Sequence, residues 1–327
     1  MIKKILIYNS GGGLGDAIQL FPLILSLKSH FKESDFFYLD ALGPNEKYFS
    51  DKLKNYNINI KTLDLKLDYF GFRWWHFFKA KSNFEKLGLN KFDLIIDIQS
   101  KIRNTLILKR IPTNNFYSST YKYIFCSYKK KFVNEKNVNK KTILNLGKFF
   151  NTNIEKIDYN LNILDKSFLD EAKKILPNKG YIGFSLTHAN KSRKKDWPVE
   201  NFIKLAKKIA KINKIPVFFV EKKNFEIVQK IKDEIPNAIF PEHNSSLASP
   251  ALVTALASRL ENAVSIDNGI MHMIGLAHIP MIVLFGPTKP GKFAPDQKNI
   301  KVIDSKDLYK SSDISKIKVE DVLMHIN

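Results

Sequence analysis

The feature that most constrains this chain is a regular alternation between residues 181 and 285, where short apolar segments are each followed by an amphipathic one. Residues 181–186, 216–220, 237–241, 263–266 and 280–285 are brief, apolar and bounded by polar or turn-forming residues. Segments of that length and character are strands buried on both faces. Between them, 198–213, 224–235, 249–260 and 270–278 carry apolar residues at helical spacing. In 198–213, Val199, Phe202, Ile203, Ala206, Ile209 and Ala210 make one stripe, while Lys204, Lys207, Lys208 and Lys211 face water. Alternating strands and helices imply a parallel sheet with helices on both faces. In a right-handed doubly wound sheet, the loops after the strands open on one edge, where ligands bind.

The first half repeats this theme less regularly. Residues 3–8 read as a strand, 9–16 (NSGGGLGD) as a glycine-rich loop, and 17–30 as a helix bent at Pro22. Residues 35–40 and 94–99 are further strands, and 102–110 and 141–150 are helices. Residues 44–67 are irregular with one short strand, and 114–150 are otherwise polar, basic and loosely patterned. A domain boundary is expected near residues 160–180, where a helix over 165–176 is closed by Pro177 and Gly180. The expected division is 1–165, 166–305 and a tail, 306–327, whose helix over 315–325 folds back onto the first domain. Residues 68–81 (DYFGFRWWHFFKAK) allow two readings: an aromatic helix packed in the core, which the large area of Trp and Phe favours, or a segment that docks at a membrane interface.

Composition narrows the function classes. The chain has 327 residues, enough for two domains, and is 44% hydrophobic, enough for a large core. Its one cysteine, Cys126, excludes an internal disulfide framework and a cysteine-based zinc site. No apolar run reaches the roughly 20 residues that span a bilayer. The N-terminus reads as a first strand rather than an export signal, so the cytoplasm is the expected location. A net charge of +21 favours anionic partners. No zinc-finger spacing or aromatic RNA-binding strand is present, so nucleic acid is not expected among them.

Two loops carry candidate chemistry. The loop with Gly12, Gly13 and Gly15 fits neither standard nucleotide fingerprint: G-x-G-x-x-G from Gly11 would need glycine at Asp16, and a P-loop would need Gly-Lys-Ser/Thr before the helix. A tight turn with one carboxylate remains, and Asp16 is either a helix cap or a general base at a strand's carboxyl end. The second loop follows the strand at 181–186. Lys191, Arg193, Lys194 and Lys195, with Ser185, Thr187 and Ser192, precede a helix start, which suits a phosphate or, equally, a solvated basic loop. Topology gathers Thr187, Lys195, Glu221, Asp267, Gly269, His272 and Thr288 around one crevice, although His272 alone would suit a core histidine, Asp267 a cap and Glu221 a solvated strand end.

Taken together, Gly15-Asp16 followed by Pro22, Lys195-Asp196-Trp197-Pro198, Asp267-Asn268-Gly269-Ile270-Met271-His272 and Phe285-Gly286-Pro287-Thr288 resemble the bacterial heptosyltransferases, glycosyltransferase family 9. The resemblance runs from residue 3 to about 305 and implies a GT-B fold, with two Rossmann-like domains facing across a cleft. It implies an inverting, metal-independent sugar transfer with no cofactor, commonly from ADP-heptose to a lipopolysaccharide core. By this resemblance Asp16 is the general base, and Lys195 and Thr187 hold the leaving diphosphate. Asp267, Asn268, Gly269, His272 and Thr288 complete the phosphate site, and Glu221 binds the nucleoside. Asn268 stands where the family usually has Thr or Ser. Gln99, Lys101 and Arg103 are candidates for an anionic glycolipid acceptor, and peripheral contact with the cytoplasmic face of the inner membrane is expected. A GT-B-like sugar-nucleotide epimerase and a non-catalytic sugar-nucleotide-binding protein are the competing readings.

Overall fold

The computed structural model describes residues 2–11, 13–41, 48–187 and 195–326. Gly12, Lys191, Ser192, Arg193 and Lys194 lie outside the described residues. The chain divides into two compact units, 1–159 and 160–327.

The first unit runs β1 (Lys4–Asn9), α1 (Leu14–Gln19), α2 (Phe21–His30), β2 (Asp35–Asp40), β3 (Lys61–Thr62), α3 (His76–Glu85), β4 (Phe92–Asp97), α4 (Ile102–Leu108), β5 (Thr113–Ser118) and α5 (Val138–Phe150). Its sheet is wholly parallel, in the order β3-β2-β1-β4-β5. The single bent helix expected over 17–30 is two helices that meet at Leu20. Pro22, in the first turn of α2, has no N–H to continue α1. Strand β5 begins Thr-Asn-Asn, a poor strand signature, and is held by its register with β4.

Segment 68–81 only partly follows the core reading. Phe70, His76 and Ala80 are buried, but Tyr69, Trp74, Trp75 and Phe78 stand in solvent. The inner side of the segment fills the core that Leu6, Tyr8, Phe84, Phe92 and Ile107 share, and the outer rings find no room there.

The second unit runs α6 (Lys166–Ile175), β6 (Tyr181–Ser185), α7 (Val199–Ala210), β7 (Ile215–Phe219), α8 (Phe225–Glu234), α9 (Pro250–Ala257), β8 (Asn262–Ile266), α10 (Gly269–Gly275), β9 (Met281–Phe285), α11 (Pro290–Phe293), β10 (Ile300–Asp304), α12 (Ser305–Tyr309) and α13 (Val319–Leu323). Its five strands are again parallel, in the order β10-β9-β8-β6-β7. Helix α7 buries Phe202, Ile203, Leu205, Ala206 and Ile209 and leaves its lysines outside, as the periodicity requires. The strand expected over 237–241 is instead a single bridge, Val217 to Ile239, followed by a short turn of 3-10 helix. Pro236 and Pro241 bracket that segment and prevent a longer ladder. The fifth strand, β10, pairs in register with β9.

The tail belongs to this second unit. Val319 and Val322 join a core with Trp197, Phe202 and Ile203, and the Trp197 indole N–H donates to the Ile317 carbonyl at 2.8 Å. Among the described residues, no helix is long and apolar enough to cross a membrane.

Candidate active site

In the second unit the chain leaves β6 for β7 on one side of the sheet and later returns to β8 on the other. The switch point lies between the carboxyl ends of β6 and β8, where a crevice opens in such sheets. Asn268 spans it. The side-chain amide N–H of Asn268 donates to Ser185 Oγ at 2.7 Å and to the Thr187 carbonyl at 2.8 Å. Its side-chain oxygen caps α10 by accepting from the Met271 N–H at 2.9 Å. A Thr or Ser there has no second nitrogen arm with which to bridge two strands. Asn268, expected as a phosphate donor, is thus committed to the framework, as is Ser185, one of the hydroxyls expected at the phosphate loop.

Beside this bridge, Lys195 Nζ donates to Asp267 Oδ2 at 2.6 Å, with side chains only 12% and 7% exposed. Lys195 is fixed from behind, because Trp197, two residues on, is buried and packs edge-to-face on Phe202 with ring centres 4.8 Å apart. His272, in the first turn of α10, is buried with this pair. Burial pushes its imidazole down to about 4, against the pull of the Asp267 carboxylate, so it is neutral at pH 7. Gly269 opens α10 as its first residue.

A pocket of ≈ 290 Å³ adjoins the switch point, with Thr187, Val199, Glu221, Asn224 and Ile227 among its walls. Thr187 and Glu221 therefore share one pocket, as the topology required. No motif points to Glu242, whose carboxyl is pushed up to about 7 by burial and then by the charge of Glu221. After β9, the Thr288 carbonyl accepts from Lys306 Nζ at 3.3 Å, and Thr288 Oγ1 is buried with no hydrogen-bond partner among the described residues.

The first unit has an analogous edge, with its switch point between β1 and β4. Asn9 ends β1 and organises it. Its side-chain oxygen accepts from Gln99 Nε2 at 2.7 Å and from the Gly11 N–H at 3.2 Å, and its amide N–H donates to the Asp16 carbonyl at 3.1 Å. Asp16, part-exposed at the third position of α1, accepts from the Gly13 N–H at 3.2 Å. Gln99 is thus brought to the Asp16 loop. Arg103 Nε donates to the Gly71 carbonyl at 3.0 Å, and its guanidinium lies over the Phe72 ring. Lys101 lies over the same Phe72 ring. Gly15 is an ordinary residue of α1. Asn9 was missed because a polar residue at a strand end looks like any loop start.

Gly11 is essential to this geometry. A Cβ there would lie 2.5 Å from Asp16 Cγ and 2.7 Å from Asp16 Oδ2. Gly11→Ala is expected to displace the carboxylate and lower kcat by about 100-fold, with the thermal midpoint little changed. Steady-state kinetics alongside a melting curve check this, and an unchanged kcat would remove the Asp16 position from the rate.

Among the described residues, no three His, Cys, Asp or Glu side chains cluster closely enough to hold a metal ion.

Two parallel α/β units in one chain, each with polar groups at its switch point, define the GT-B class of fold. The chain belongs to glycosyltransferase family 9 (heptosyltransferase), whose model matches residues 81–323, and is a glycosyltransferase. It is 23% identical over 305 residues, 89% of this chain and 84% of the relative, to lipooligosaccharide heptosyltransferase 2 of Campylobacter jejuni. Among solved structures it resembles a family 9 glycosyl transferase from Veillonella parvula, with a TM-score of 0.71 at 18% identity, covering 99% of this chain and 96% of that one. The E. coli heptosyltransferase WaaC with ADP matches at a TM-score of 0.67 and 16% identity, covering 98% of each chain.

Proposed function

We propose that the protein transfers a heptose, with inversion and without a metal ion, from ADP-heptose to an anionic glycolipid acceptor of the lipopolysaccharide-core type. The observation that carries this reading is the buried Lys195–Asp267 pair at the β6/β8 switch point, beside the pocket that Thr187 and Glu221 line. Charge grows on the diphosphate as the sugar leaves, and a fixed cation compensates it without reorganising. Asp267 orients the Lys195 ammonium through its carboxylate at 2.6 Å and, more weakly, its main-chain carbonyl at 3.5 Å, and the remaining N–H is offered to the diphosphate. The Thr288 hydroxyl, lacking a protein partner among the described residues, supplies a further donor. Neutral His272 adds no competing charge. Glu221 accepts from ribose hydroxyls, and Gly269 contributes an amide from the first turn of α10.

In the first unit, Asp16 takes the proton from the acceptor hydroxyl as that oxygen attacks the anomeric carbon. The C–O bond to the diphosphate breaks as the new glycosidic bond forms on the opposite face, which inverts the centre. Gln99, held to the same loop through Asn9, contacts the acceptor. The ADP in the WaaC structure and the named activity of the Campylobacter relative support adenine as the base and heptose as the sugar.

The test is a thermal-shift comparison of ADP, UDP, GDP and CDP, followed by turnover of ADP-heptose in excess EDTA. ADP at about 100 times its Kd should stabilise by about 2.7 kcal/mol and the others by much less. Turnover should survive EDTA. A larger shift with UDP overturns the donor assignment, and loss of turnover in EDTA overturns the metal-free mechanism.

A further inference from the structure

We propose that the stretch from Tyr69 to Phe78 on the first unit is a docking face for the headgroup region of an anionic lipid bilayer. The observation is an arrangement of rings that core packing does not require. Tyr69, Trp74, Trp75 and Phe78 are 54%, 58%, 54% and 78% exposed, although they sit within ten residues. Buried neighbours Phe70, His76 and Ala80 already anchor the segment, so the outer rings are not part of the core it covers.

The segment is held rigidly at its turn. Gly71 has φ +84, and a Cβ there would lie 2.4 Å from the Tyr8 hydroxyl and 2.9 Å from Asn104 Nδ2. The Tyr8 hydroxyl donates to the Phe70 carbonyl at 3.0 Å, the Gly71 N–H donates to His76 Nδ1 at 3.2 Å, and Arg103 Nε donates to the Gly71 carbonyl at 3.0 Å. Three bonds from three different side chains thus fix the backbone beneath the exposed rings. A preorganised face loses little conformational entropy when it is covered.

Charge selects the occupant. Between Arg73 and Lys81 the cations are Arg73, Lys79 and Lys81, all exposed, and the stretch contains no acid. Two exposed acids flank it: Asp68, directly before Tyr69, and Glu85, which lies 3.8 Å from Lys81 in a weak pair, so the three cations still leave the face net positive. Arg73 lies over the Trp75 ring, 5.6 Å from its centre. Indole and phenol rings partition to the lipid headgroup level, and adjacent Lys and Arg gain from anionic lipid there. The net charge of +21 adds long-range attraction to the same surface. This inference depends on neither the donor nor the acceptor assignment.

The chain carries its own reporter. It has three tryptophans, of which Trp197 is buried at 1% exposure while Trp74 and Trp75 are exposed. The full chain would be mixed with vesicles of phosphatidylcholine alone, or of phosphatidylcholine with phosphatidylglycerol, and followed by flotation and tryptophan emission. The expected result is flotation with anionic vesicles only, with emission moving to shorter wavelength. The variant Trp74→Ser/Phe78→Ser, at two exposed positions, should lose about tenfold in partition coefficient while its circular dichroism and its ADP affinity match the parent. Equal binding by parent and variant overturns this face. A parent that ignores anionic vesicles also overturns it and leaves the rings to a protein partner. Failure of the parent to bind ADP would count against the proposed donor instead, so the two failures are distinguishable.

Discussion

Asp16→Asn is expected to lower kcat by about 10³-fold while leaving ADP affinity and stability close to the parent. The argument rests on what asparagine keeps and what it loses. The Asp16 carboxylate accepts from the Gly13 N–H at 3.2 Å, and an asparagine oxygen can accept the same bond. The turn that Asn9 builds around Gly11 and the Asp16 carbonyl uses main-chain atoms at position 16 and is untouched. What asparagine lacks is a basic oxygen able to take a proton at neutral pH. Asp16→Ala provides the contrast. It removes the base and the acceptor together, so it should lose activity to a similar degree and also about 1 kcal/mol of stability. Calorimetric ADP titration, urea unfolding and steady-state turnover on the two variants separate the roles. If Asp16→Asn transfers sugar at the parental rate, Asp16 is a cap and nothing more, and the base lies elsewhere.

The cap and the base were both open from the sequence, and the geometry explains why composition cannot choose between them. One carboxylate at the third position of a helix can do either task, and here it visibly does the first. The second half was far more readable. Its strands are short and apolar, its helices have clean stripes, and parallel topology then brings Thr187, Lys195, Glu221 and Asp267 to one edge with no knowledge of side-chain contacts. The failures have local causes. Pro236 and Pro241 cut the segment at 237–241 to one bridge, although its residues are apolar. Strand β5 hid behind Thr-Asn-Asn and depends on a register with β4 that only tertiary pairing supplies. The aromatic segment divides between its two readings: Phe70, His76 and Ala80 are buried as large-ring composition suggests, whereas a glycine turn and three side-chain bonds leave four rings outward. Asn268 shows the limit of reading roles from motifs: its position in the 267–272 turn was legible, but its use as a strand bridge depends on Ser185 and the Thr187 carbonyl lying within reach.

The second large effect should come from the buried ion pair, and it is best read as a cycle. Lys195→Ala leaves the Asp267 carboxylate buried at 7% exposure without its cation, which should cost about 3 kcal/mol of stability. The same variant should weaken ADP binding by about 10²- to 10³-fold, because the diphosphate loses a cation and meets an unpaired carboxylate. Asp267→Ala should cost similar stability but only about tenfold in ADP affinity, since the ammonium stays in place and the incoming phosphate can pair with it. The double variant removes both charges. It should therefore be more stable than the sum of the single losses predicts, by about 2 kcal/mol, and should bind ADP more tightly than Lys195→Ala does. His272 does not blur this comparison: its ordinary value is already lowered to about 4, and removing Asp267 takes away the one charge that pulls it up, so it stays neutral throughout at pH 7. Urea unfolding gives the stability cycle and calorimetry the affinity cycle. Additive losses in both would mean that the two side chains act independently, and identical ADP affinities in the two single variants would remove Lys195 from the diphosphate.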